Sequence, residues 1–210
     1  MTSVTSHEPA DSHRMRADKT LYLARHGETV WNSVGRYQGG KDSPLTLRGR
    51  EQASAAAKTL ASRLPSSTMP VRAYVNPLGR AIETASIIVQ SIPLDTVVEP
   101  RISEVSAGTW DGMSMDEVEL EYPAALAGLT RYDWYFRSPD GEAFELAFDR
   151  VSAWLKDVES PAIVVTHGVA SRLIRGAYLG LSRTDMLQLP VPQDGLFCLS
   201  AGRSTLIPCR

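Results

Sequence analysis

The chain reads as an α/β fold, a three-layer α/β/α sandwich built on a mostly parallel sheet. Short apolar runs predict it first: Leu21-Tyr22-Leu23-Ala24 and Ile163-Val164-Val165-Thr166 have the length and composition of strands buried on both faces. Between such runs lie segments whose apolar residues recur at helical spacing, so strand and helix alternate along most of the chain. A third feature gives the architecture a working edge. Both runs pass straight into His-Gly, at His26-Gly27 and His167-Gly168. In open α/β sheets ligands bind in the crevice outside the carboxyl ends of the strands, so neighbouring strands here would bring both imidazoles to one rim.

Taken in order, the first strand falls near residues 20–25, and a helix over about 47–62 follows a polar loop that begins at Arg36. A second strand near 72–75 meets an Asn76-Pro77 turn, and a helix over about 79–90 leads to a strand near 95–98. The segment 109–141 interrupts this rhythm. Regular alternation resumes with a helix over about 142–158, where Val151, Trp154, Leu155 and Val158 share one face and mark Trp154 as core. The strand near 162–166 and a helix over about 168–179 follow. Strands around 196–200 and 204–208, on either side of Ala201-Gly202-Arg203, read as a C-terminal hairpin.

Composition limits what the chain can do. At 210 residues it is long enough for one well-buried α/β domain, over 19–210, and its formal net charge of −2 offers no electrostatic case for nucleic acid or a membrane surface. Residues 1–18 are polar and mixed in sign, and read as a disordered leader without the apolar core of a secretory signal. No later run is apolar enough to span a bilayer. Cys198 and Cys209 read as reduced thiols of a cytoplasmic protein, with a disulfide across the hairpin as the alternative. Oligomeric state leaves no mark, and a homodimer stays open.

The chemistry suggested by two converging imidazoles is phosphoryl transfer. A neutral imidazole is a competent nucleophile, and a covalent intermediate divides one hard displacement into two easier ones. Arg25, beside His26, offers the forked guanidinium geometry that phosphate oxygens accept. For Nε2 to attack, Nδ1 must carry the proton and donate it elsewhere, and the Gly27 carbonyl is the expected acceptor. The four histidines, His7, His13, His26 and His167, form no cluster at metal-ligand spacing, so the expected chemistry uses neither metal nor other cofactor.

With Arg25-His26-Gly27 directly after the first strand and Thr166-His167-Gly168 after a later one, the chain resembles the histidine phosphatase superfamily, the phosphoglycerate mutase-like proteins. The resemblance runs from about Lys19 to the C-terminus. It implies His26 as nucleophile, His167 as a residue that hydrogen-bonds the phosphoryl oxygen and stabilises the transition state, and Arg80, in the first turn of a helix, as a second phosphate clamp beside Arg25. It also implies Glu104, ahead of the Gly108, Trp110 and Gly112 turn, as general acid; a carboxyl crowded by phosphate charge can keep a proton for the leaving oxygen. Thr29, Asn32, Gln38, Gly39 and Gly168 are expected around the phosphate, although Asn32 could equally cap a turn. Most relatives carry serine where this chain has Asn76, a difference that leaves the charges untouched.

In the family the 109–141 insertion covers the active site. Its Tyr132, Trp134, Tyr135 and Phe136 could form the insertion's own apolar plug or touch the leaving group, with Arg131 or Arg137 available for a substrate carboxylate or second phosphate. The expected function is thus a metal-independent phosphomonoester phosphatase acting on a small phosphorylated metabolite. Mutases of the superfamily carry Glu-Arg-x-Tyr-Gly at the acid, whereas this chain has Glu104-Val105-Ser106-Ala107-Gly108. A phosphoglycerate mutase using the same phosphohistidine, and a non-catalytic phospho-ligand binder, are the alternatives.

Overall fold

A computed structural model describes residues 19–64, 71–128 and 132–210. The leader of residues 1–18 and Arg131 lie outside them. Six strands, β1 (Leu21–Arg25), β2 (Arg72–Val75), β3 (Asp95–Val98), β4 (Ala162–Thr166), β5 (Gly195–Ser200) and β6 (Arg203–Pro208), form one sheet in the order β3-β2-β4-β1-β5-β6. The β3-β2-β4-β1 part is parallel, and the β5-β6 hairpin joins β1 antiparallel, so the sheet is mostly parallel as expected.

Alternation along β1 explains the layers. Leu21 and Leu23 enter one core with Val164, Trp154 and Leu173, while Tyr22 and Ala24 enter the other with Ile163, Val165, Leu60 and Ile88. Successive strand residues point to opposite faces, so an unbroken apolar run needs helices on both. Helices α1 (Val30–Ser33), α2 (Leu47–Ala61) and α3 (Gly79–Ser91) follow β1 and β2. In the segment 109–141 are the short α4 (Met115–Glu121) and α5 (Pro123–Leu126), and then come α6 (Phe144–Asp157), α7 (Gly168–Leu179) and α8 (Arg183–Leu187). The second core includes Leu60 of α2 and Ile88 of α3, and the first Trp154 of α6 and Leu173 of α7. Trp154 is fully buried.

The short α1 and α4 each begin with a capping box, Thr29 with Asn32 and Ser114 with Glu117, which satisfies N–H groups that a helix of a turn or two would otherwise leave free. The insertion does have its own plug, of Trp110, Val118 and Trp134. Cys198 and Cys209 are free; Cys198 faces Thr205 across the hairpin, so the register does not set the two sulfurs opposite each other. Among the described residues no helix is long and apolar enough to cross a membrane.

Candidate active site

The sheet register builds the centre of the site. Arg25 pairs with Thr166 in the parallel β1–β4 ladder, so the next residues of the two strands are His26 and His167. The ladder runs one bond further, from His26 N–H to Thr166 O at 2.9 Å, and the imidazole centroids stand 5.1 Å apart. His26 Nδ1 lies 2.8 Å from the Gly27 carbonyl. A carbonyl only accepts, so Nδ1 carries the proton and Nε2 keeps its lone pair. Burial, then the charges of Arg25 and Arg80, hold the His26 pKa well below the ordinary histidine value, and the ring is neutral at pH 7. Gly27 has a steric reason as well: a Cβ there would stand 2.2 Å from Gly49 O, where the start of α2 presses on the turn.

Around the rings the chain sets donors and one carboxylate. Glu104 accepts from Val169 N–H at 3.1 Å and Ala170 N–H at 3.0 Å, so its carboxylate sits on the open first turn of α7. Arg80, 1 % exposed, gives Nη1 to Lys41 O and Asp42 Oδ1 and Nη2 to Gly39 O. Among the described residues six buried side-chain polar atoms lack a partner, and three of them are Arg25 Nε, Arg80 Nε and His167 Nδ1. Such atoms are costly in a finished core, so their concentration beside His26 fits a place that receives an oxyanion. A cavity of about 380 Å³ opens here, lined by Arg25, His26, Glu104, Tyr135 and Gly168 among others.

The model of the histidine phosphatase superfamily, branch 1, matches residues 21–205. The chain belongs to the histidine phosphatase superfamily. It is 35 % identical over 166 residues to phosphoserine phosphatase 1 of Hydrogenobacter thermophilus, covering 77 % of this chain and 76 % of that one. It is 34 % identical over 166 residues to a protein of Escherichia coli O1:K1 named probable phosphoglycerate mutase GpmB, covering 77 % and 75 %. The solved structure of a mycobacterial glucosyl-3-phosphoglycerate phosphatase in complex with VO3 superposes with a TM-score of 0.72 at 26 % identity, covering 90 % of this chain and 97 % of that one.

Several residues of this histidine phosphatase sit otherwise than its sequence suggests. Thr29 is fully buried, caps α1 by accepting from Asn32 N–H, and donates to Gln38 Oε1 at 2.6 Å, which leaves its hydroxyl no proton for a phosphate. Gly39 is backbone support: its N–H goes to Asp111, its carbonyl to Arg80, and a Cβ would stand 2.3 Å from Ala107 N. The N–H groups at the start of α3, expected to favour a phosphate, are taken by Asp42, which accepts from Gly79 and Arg80. Arg137 is exposed and lines a separate depression with Asp133, Phe136 and Arg183, not the cavity beside the imidazoles. Gln38 and Asn32 do line the cavity, and Asn32 also caps α1, so both readings of it apply. Of the four insertion aromatics only Tyr135 reaches the cavity.

Other lining residues escaped the sequence. Arg172, Arg36, Tyr37, Val191 and Gln193 also line the wall. Arg172 had a readable signal, since it lies four residues after Gly168 on the same face of α7. The stretch 189–191 had none. Its three consecutive carbonyls, of Leu189, Pro190 and Val191, accept from Arg172 Nε (2.7 Å), Arg175 Nη2 (2.6 Å) and Arg25 Nη1 (2.8 Å). Gln193 Nε2 then donates to His26 O at 3.2 Å and Asn32 Oδ1 at 3.1 Å, tying this strap to the backbone of His26. Arg175 stacks on Phe197 with Cζ 3.7 Å from the ring centroid, and burial pulls its pKa down to about 10.

Proposed function

We propose that the chain is a phosphomonoester phosphatase that works through a phosphohistidine on His26. The observation that carries this reading is the neutral His26, with Nδ1 committed to Gly27 O, beside three buried, unpartnered nitrogens on Arg25, Arg80 and His167. In the first step the Nε2 lone pair forms the N–P bond as the P–O bond to the leaving group breaks, and the departing oxygen takes a proton that Glu104, crowded by the phosphate charge, has picked up from solvent. In the second, water attacks phosphorus, the N–P bond breaks, and Glu104 takes the water proton. The guanidinium groups of Arg25 and Arg80 are held in place beforehand by backbone oxygens, so charge stabilisation requires little rearrangement. Residues 19–210 act as one catalytic domain with 109–141 as its cap.

The test is hydrolysis of para-nitrophenyl phosphate. Wild type is expected to turn it over, inhibited by vanadate and unaffected by EDTA, while His26→Ala loses at least about a thousandfold in kcat. Activity removed by EDTA and restored by a divalent metal, or retained in His26→Ala, contradicts the scheme.

The substrate is a small phosphorylated metabolite whose leaving group carries an anion. Arg172 supports this: it lines the cavity, and no carboxylate among the described residues pairs with it. It takes the place that sequence reading offered to Arg137, while Arg131 lies outside the described residues. Phosphoserine, named in the Hydrogenobacter relative, carries such a carboxylate. Arg172→Ala should raise KM for an anionic substrate such as 3-phosphoglycerate about tenfold more than KM for para-nitrophenyl phosphate. The likeness to the GpmB protein supports a mutase as second reading. Conversion of 3- to 2-phosphoglycerate outpacing phosphate release would favour it.

A further inference from the structure

Asn76, at the turn that follows β2, touches the second imidazole. Asn76 is fully buried just past β2, and its Oδ1 lies 2.8 Å from His167 Nε2. The amide cannot be turned over. Oδ1 also accepts the Leu78 N–H at 2.9 Å, and a backbone N–H can only donate, while Nδ2 donates to Ser103 Oγ at 2.5 Å. His167 Nε2 therefore meets an acceptor and must carry the ring proton. Nδ1 is left as a bare lone pair, buried and without a partner.

We propose that Asn76 is a positioning residue that holds His167 as the Nε2–H tautomer, so that the phosphoryl group is taken up together with one proton lying between Nδ1 and a phosphoryl oxygen. This rests on the phosphatase reading above. With Nε2 committed, Nδ1 is the atom left to meet the phosphate, and two lone pairs cannot face each other there without a proton between them. The substrate monoanion brings that proton on its own P–O–H, which either donates to Nδ1 or passes the proton to it; no other reactant is needed. The groups facing His167 are mostly cationic: Arg25 and the neutral His26 after β1, Arg80 on α3 and Arg150 on α6, with the Glu104 carboxylate on the first turn of α7. Burial, then these neighbours, keep the His167 pKa well below the ordinary value, so the free protein does not hold the proton itself.

Two measurements on the full chain test this. The ¹⁵N spectrum of the free protein near pH 7 reads the tautomer without turnover. It is expected to show His167 with Nε2 protonated and Nδ1 bare, with a proton appearing on Nδ1 when inorganic phosphate is added. Protonated Nδ1 in the free protein, or an Nδ1 unmoved by phosphate, overturns the proposal. In wild type, kcat/KM is expected to fall about tenfold per pH unit above about pH 6, the second ionisation of a phosphomonoester. Asn76→Asp keeps an acceptor at the same place and adds a negative charge that favours the imidazolium. Its alkaline limb should move up by about one to three pH units. A profile superimposed on wild type, in a variant with unchanged circular dichroism, rejects the assignment. Failure of the phosphatase reading would show as absent hydrolysis in wild type, whereas failure here would leave hydrolysis intact with the wrong tautomer or an unshifted limb.

Discussion

His26 and His167 pose a conflict between stability and chemistry that is settled by burial. Each is held neutral, desolvation lowering its pKa first and the neighbouring cations lowering it further. Because the folded values lie below the unfolded value of about 6.5, the unfolded chain binds protons first as pH falls. The stability conferred by the neutral rings is therefore complete above about pH 6.5 and is lost below it. Thermal unfolding followed downward from about pH 8 should show the midpoint falling below about pH 6.5, with a shallower fall in a His26→Asn, His167→Asn double variant. An acid limb of unchanged slope would show that other groups control it. At the same scale, sequence reasoning treated Asn76 as an asparagine-for-serine change that leaves the charges untouched, because it compared charges. The amide acts instead through which ring nitrogen holds the proton, a property that needs the distances to Leu78, Ser103 and His167.

Both helices that point at the site begin without a side-chain cap of their own, at Leu78 for α3 and at His167 for α7. A distant carboxylate serves each: Asp42 accepts from Gly79 and Arg80 at the start of α3, and Glu104 from Val169 and Ala170 at the start of α7. Asp42 also pairs with the buried Arg80 guanidinium at 3.0 Å, so Asp42→Ala should lower unfolding stability by about 1–2 kcal/mol. It should also weaken phosphate inhibition, as Arg80 loses the contact that orients it; a denaturant melt and a phosphate titration check the two effects. The regular elements were legible because their signals are local: the apolar runs and helical spacings place β1 to β6 and the four long helices within a residue or two. The loops were not. Thr29 and Gly39 lie in motifs that resemblance assigns to the phosphate, yet their hydrogen bonds go to Gln38, Asp111 and Arg80, up to 72 positions away in the chain.

Across the whole molecule, two apolar layers flank the sheet whose rim carries the site. Trp154 spans the first layer with no exposed surface, and Trp154→Ala should cost about 3–5 kcal/mol in a urea or guanidinium melt. Its spacing with Val151, Leu155 and Val158 made it readable as core, whereas the approach of the 189–193 stretch to the end of β1 could not be inferred from composition. Beyond the tie made by the Gln193 side chain, that stretch is gripped through main-chain oxygens at Leu189, Pro190 and Val191. Such anchorage is blind to side-chain identity, so mutations at Val191 can reshape the cavity wall while the loop's attachment survives. Evolvability follows: selection for a new metabolite can explore this wall without first rebuilding the scaffold that carries the two imidazoles.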